Sequence, residues 1–269
     1  LLVVACPGAL VISTPISVIA GIGQAARQGV LIKGGEHLET AARIRAVAFD
    51  KTGTLTVGRP AVTSIVPLAA LQPVPGIEQD DRKQQLLRWT AVAEGGSEHP
   101  LARAILREVK GDEPIAAADN FETFAGGGIG AGWQGRRIEI GSPDWLRQRV
   151  ADWPTDAQAA LEEIRQRGET LAAISVDGKV FGLLGFADQV RPEAAAALQQ
   201  LRDGGVRRLV MLTGDHLASA QRVARTLGIT EVQAGLLPEH KLKAIERLRA
   251  EAGVTAMVGD GINDAPALA

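Results

Sequence analysis

Three short apolar runs in this 269-residue chain each lead into an aspartate. Residues 46–49 are followed by Asp50, residues 209–212 by Thr213, Gly214 and Asp215, and residues 254–258 by Gly259 and Asp260. Carboxylates brought together repel one another, and a bound cation relieves that repulsion; hard oxygen ligands suit magnesium. An aspartate can also attack phosphorus itself and carry the phosphoryl group as an aspartyl-phosphate. The Thr213 hydroxyl and the Lys241 ammonium are suited to hold and neutralise that group. No G-x-x-x-x-G-K-[ST] loop occurs, so phosphate chemistry here takes a route other than that of the P-loop proteins.

The elements that must position these residues alternate. Helical stretches at 192–201, 217–227 and 238–251 separate the apolar runs, and strands alternating with helices mean an α/β fold with a doubly wound parallel sheet. Such sheets place their sites at the carboxyl ends of the strands, where all three aspartates fall. Residues 57–186 read as inserted α+β material. "RKQQLLRWTAVAE" and "PLARAILREVK" have helical patterning, "LQPVPGIEQDD" is loop, and "AGGGIGAGWQGRRIEIGS" is glycine-rich and then strand-like. "TLAAISVDGKVFGLLGF" reads as a hairpin turning at Asp177-Gly178. A 46% hydrophobic composition supports a well-buried core. A net charge of −2 gives no electrostatic case for a nucleic-acid partner, and a lone cysteine, Cys6, excludes an internal disulfide or an all-thiolate zinc site.

"DKTGTLT" at 50–56 resembles the phosphorylation signature of P-type ATPases, and "ADQVRPEA", "MLTGD", "PEHK" and "GDGINDAPALA" follow in that family's order. The resemblance implies a haloacid-dehalogenase-like phosphorylation domain at 27–56 and 187–269, interrupted by a nucleotide-binding domain at 57–186. It implies that Asp50 is the nucleophile toward ATP. Magnesium is then held by Asp50, the Thr52 backbone carbonyl and Asp260, while Thr52, Thr213, Gly214, Asp215, Lys241, Asn263 and Asp264 complete the phosphoryl site. Lys51 reads equally as a positioning charge or a phosphate ligand. "SEHPLA" at 97–102 resembles the His-Pro motif of the heavy-metal subgroup, which implies that His99 and Glu94 lie at the adenine and that Gly126, Gly128 and Gly141 line the nucleotide. Taken singly, His99 before Pro100 is a helix-start surface histidine, and the glycines are a hairpin tip. "GGGIG" lacks the flanking strand and acidic residue of a dinucleotide fingerprint.

Residues 1–26 carry no charge and read as part of a transmembrane helix broken by Pro7, Gly8 and Pro15. A signal peptide or a buried soluble helix is the alternative. Arg27, Lys33, Arg43 and Arg45 follow, so the chain after about residue 27 is expected on the cytoplasmic side of a multi-pass membrane protein. Cys6-Pro7-Gly8 resembles the Cys-Pro-Cys ion site of heavy-metal pumps, with proline freeing backbone carbonyls beside the thiol. Cys6 is the candidate ligand for the transported ion; one thiolate instead of two favours zinc or cadmium over copper, with cobalt also open. The chain reads as a fragment whose partners are a heavy-metal cation, membrane lipid, and the actuator domain and other membrane helices of the same pump. A soluble phosphohydrolase of the same fold and a non-catalytic nucleotide-binding module are the rival readings.

Overall fold

A computed structural model describes residues 8–76, 81–110, 115 and 118–260. The chain begins with α1 (Gly8–Arg27), which contains Pro15, and α2 (Gly35–Ala41). Among the described residues no helix is long and apolar enough to cross a membrane. The two helices meet closely: a Cβ on Gly21 would lie 2.8 Å from Leu38, and one on Gly35 would lie 2.7 Å from Val18.

The first sheet contains β1 (Ala46–Asp50), β8 (Arg208–Leu212), β9 (Glu231–Gln233) and β10 (Thr255–Val258), in the order β10-β1-β8-β9 and parallel throughout. Alternate side chains of a strand point to opposite faces, and both faces of this sheet are apolar. Val47, Phe49, Leu209 and Met211 pack with Leu198 of α7 (Ala194–Asp203) and Val223 of α8 (Leu217–Leu227). Ala46, Ala48, Val210 and Leu212 face the other way, toward Leu248 of α9 (Pro238–Ala252). This is the doubly wound arrangement expected from the sequence, with β9 as an addition. Three residues are too few to show a strand period.

The second sheet is antiparallel. It contains β2 (Thr56–Pro67), β3 (Asn120–Phe124), β4 (Gly128–Trp133), β5 (Arg136–Gly141), β6 (Thr170–Val176) and β7 (Lys179–Val190), in the order β2-β7-β6-β5-β4-β3. α3 (Arg82–Glu94) and α4 (Pro100–Glu108) cover one face, where Trp89 meets Trp133 and Phe181 edge-on at 5.4 and 5.7 Å. α5 (Pro143–Arg147) and α6 (Thr155–Gln166) cover the other, where Leu146, Leu161 and Ile164 pack on Ala173 and Leu183. The hairpin at Asp177-Gly178 forms as expected, with φ of 50° and 74°. The long strands β2 and β7 connect the two sheets. They pair from Pro67↔Gly182 out to Thr56↔Val190, so a continuous two-stranded ribbon leads from the insert to within a few residues of Asp50.

Candidate active site

The register of the parallel sheet aligns the chemistry. Phe49 pairs with Val258 and Asp50 with Leu212, so Asp50, Thr213 and Asp260 leave adjacent strands at one edge. Asp50 is buried at the end of β1, and the buried ammonium of Lys241, from the first turns of α9, donates to its Oδ1 at 2.5 Å. Lys51 is also buried and pairs through Nζ with Oδ2 of Asp215. Two of the three carboxylates are therefore neutralised by lysines. The argument for a cation rests on the kind of ligand atom instead. A Cβ on Gly53 would lie 3.1 Å from Oδ2 of Asp260, so that carboxylate lies against the loop following Asp50. Asp50, Asp260 and the Thr52 carbonyl would each offer oxygen, the ligand type that suits a hard divalent cation.

The 51–55 loop is one wide turn closed by Thr56 N–H to the Lys51 carbonyl, with Gly53 at φ 76°. That angle excludes most side chains, which accounts for glycine between Thr52 and Thr54. Thr213 is buried; its Oγ1 accepts from the Asp215 N–H at 3.1 Å, which leaves its own proton to donate elsewhere. Gly214 is exposed in the same turn. Asn263, Asp264 and Cys6 lie outside the described residues.

The sequence pattern marks "ADQVRPEA" only as one of the ordered motifs and gives its side chains no task, yet they hold this loop. Asp188 accepts from the Thr56 hydroxyl at 2.5 Å, from Gly58 N–H at 3.2 Å and from Arg59 N–H at 3.0 Å. Arg191 donates to the carbonyls of Gly53 at 2.7 Å and Thr54 at 3.0 Å. Their sequence separation from the loop is more than 125 residues, which no local pattern reports.

The second group of candidate residues lines a cavity of about 480 Å³ in the insert. Glu94, His99, Gly126, Gly128 and Gly141 all contribute to its wall. Glu94 ends α3 and is buried. One of its carboxylate oxygens has no hydrogen-bond partner, and burial raises its pKa above the ordinary 4.5, against smaller opposing effects of Ser97 and His99. A buried carboxylate oxygen without a partner, on a residue that lines a cavity, fits a ligand with a hydrogen-bonding edge, such as a nucleotide base. His99 is the N-cap of α4: its Nδ1 accepts from Leu101 N–H at 3.2 Å, with Pro100 in the first turn. The helix-start reading of His99 and its place in the cavity therefore hold together. Capping through Nδ1 fixes the ring and puts the proton of the neutral imidazole on Nε2.

The glycines divide by cause. Gly126 turns at φ 72° with open space around it. A Cβ on Gly128 would meet the Ile140 carbonyl at 2.0 Å, and one on Gly141 would meet the Gly127 carbonyl and the Trp145 ring, both at 2.5 Å. Close packing between β4, β5 and Trp145 is sufficient to require glycine at 128 and 141, without any ligand.

A family model described as a haloacid dehalogenase-like hydrolase matches residues 44–269. A zinc-exporting P-type ATPase of Mycobacterium marinum is 45% identical over 270 residues, covering 100% of this chain and 36% of that protein. A manganese-exporting P-type ATPase of Mycobacterium bovis is also 45% identical over 270 residues, with the same 100% and 36% coverage. A crystal structure of a zinc-transporting PIB-type ATPase in an E2.Pi state matches with a TM-score of 0.84 at 42% identity, over 97% of this chain and 40% of that one. The chain thus spans 36% of the length of the curated relatives it matches. Over its whole length the chain is similar to one part of the P-type ATPases that it matches, and it belongs to the haloacid dehalogenase-like hydrolase family.

Proposed function

We propose that this chain is the catalytic segment of an ATP-driven heavy-metal exporter that works through an aspartyl-phosphate at Asp50. The observation that carries the reading is the placement of Asp50: a buried carboxylate at a strand end, held by Lys241, beside the Thr213 hydroxyl and the Asp260 carboxylate. In this reading Asp50 attacks the γ-phosphorus of ATP, forming the carboxyl–phosphoryl bond as the bond to ADP breaks. Lys241 and Thr213 hold the transferred group, and Lys51 positions Asp215 at the rim. Asp50, Asp260 and the Thr52 carbonyl would hold magnesium, which when bound supplies charge neutralisation at the phosphoryl group. Glu94 and His99 would bind the adenine in the insert's cavity. Asn263, Asp264 and Cys6 keep the roles that the family resemblance implies.

The names of the relatives support a divalent cargo, zinc or manganese in the two described above. Zinc or cadmium is the reading that also suits the single Cys6 thiolate, with copper and cobalt as the alternatives. Such a protein is membrane-embedded through residues 1–26 and further helices, with its catalytic domains in the cytoplasm. Full-length protein given γ-labelled ATP with zinc or cadmium is expected to form an acid-stable, hydroxylamine-sensitive adduct that Asp50→Asn abolishes. Labelling that survives Asp50→Asn would refute the assignment of the nucleophile.

A further inference from the structure

We propose that Phe121 is the surface on which the nucleotide base stacks in the insert's cavity. The inference rests on the nucleotide reading given above. Phe121 lies on β3, the edge strand of the antiparallel sheet, and its ring lines the same cavity as Glu94 and His99. It is 42% exposed, the sole aromatic among the exposed large hydrophobic side chains of the described residues. The other rings near the cavity are already committed. Phe124 meets Trp145 at 5.4 Å in a tilted contact and is capped at 4.5 Å by the Arg149 guanidinium, and Phe186 is buried in the core.

The strand pattern explains which way Phe121 faces. Side chains alternate along a strand, so Phe121 and Thr123 share a face, and both line the cavity. Glu122 projects to the opposite side, where it accepts from Arg137 at 2.7 Å. Gly96, which also lines the cavity, lies beside one edge of the ring: a Cβ added there would be 4.0 Å from Phe121. The exposure of Phe121 leaves the remainder of the ring open to a cavity whose walls include Leu101, Ile129, Ile140 and Leu171. An exposed apolar ring in the same cavity as a buried carboxylate with one unpartnered oxygen matches the two parts of a base. The π face would rest on Phe121, and the hydrogen-bonding edge would meet Glu94. Stacking tolerates any base and the carboxylate does not, so affinity and selectivity would reside on different residues.

Calorimetric titration of the 269-residue chain with ATP tests this. Phe121→Ala is expected to weaken ATP binding by about 10-fold or more, in the range found when a stacking aromatic is removed, and to weaken GTP binding by a similar factor. Phe121→Trp is expected to bind ATP within about threefold of the wild type, since the larger ring supplies the same contact. The proton resonances of adenine are expected to move upfield on binding the wild type and not on binding Phe121→Leu, which keeps an apolar side chain without a ring. Wild-type affinity in Phe121→Ala, or an unchanged upfield shift in Phe121→Leu, would overturn the inference. A wild-type chain that binds no nucleotide would instead overturn the nucleotide reading, and this inference with it.

Discussion

Glu94 shows how a single buried group can cost stability and serve a site. Its carboxyl is 7% exposed, and one oxygen has no partner. Burial, the largest influence, raises its pKa in the folded state above the ordinary 4.5. The folded chain thus holds this proton more tightly than the unfolded chain does, and stability falls as pH rises above the ordinary value. Glu94→Gln removes the charge and keeps the shape. At pH 7 it is expected to raise the insert's stability, because the charge that burial disfavours is gone. Near pH 4 that gain should largely vanish, while ATP affinity should be lower than wild type at pH 7. Thermal melts of both proteins at the two pH values check the sign; an equal gain at both would show that the charge is not the cause. The sequence made Glu94 and His99 visible only through their resemblance to a motif. The cause of the glycines at 128 and 141 was not visible, because the Ile140 carbonyl and the Trp145 ring approach them only in the folded sheet.

At the scale of elements, the β2–β7 ribbon decides where the nucleophile's loop sits. Asp188 and Arg191 lie at its end and hold the 53–59 segment through five hydrogen bonds, four of them to backbone groups and one from the Thr56 hydroxyl. Arg222 of α8 in turn donates to the Asp188 carbonyl at 3.2 Å. Charge-assisted bonds of this kind contribute about 1.5–3 kcal/mol each, and a misplacement of about 1 Å can slow a reaction by about 100-fold. Arg191→Ala is therefore expected to slow phosphorylation of Asp50 by about 10- to 100-fold while leaving ATP affinity within about twofold, because neither Arg191 nor the loop it holds lines the nucleotide cavity. Quenched-flow labelling of full-length protein beside equilibrium ATP binding separates the two; a matching loss of affinity would show a general folding defect. The apolar runs before Asp50 and Asp260 were legible because local composition reports them. The clamp was not, since its halves are brought together by strand pairing between Thr56 and Val190. β9 and α6 were missed for different reasons: β9 has three residues, and α6 lies between two segments whose strand character dominated the reading.

For the whole molecule, the apolar clusters separate cleanly. Val47, Phe49, Met211 and Val223 belong to clusters drawn from the parallel sheet, its helices and connecting segments and the turn at Leu55, with Val190 at the end of the ribbon packed against them. Trp89, Trp133, Ile138 and Phe181 belong to clusters drawn only from the insert. Among the described residues no cluster mixes the two. The connections between them are the ribbon and close approaches such as that of Gly168, whose Cβ position lies 2.3 Å from the Ala218 carbonyl. Two cores joined by a ribbon can unfold in separate steps, since cooperativity requires shared burial. Trp89 is fully buried between Trp133 and Phe181, so Trp89→Ala is expected to cost about 3–5 kcal/mol, all of it within the insert. Calorimetric scans of the wild-type chain should show two transitions, one of which moves up in temperature with added ATP. In Trp89→Ala that same transition should fall by several degrees while the other stays within about a degree. A single transition that shifts as a whole would mean that the ribbon couples the two cores into one cooperative unit, and that strain in the insert reaches Asp50 through folding rather than through the clamp.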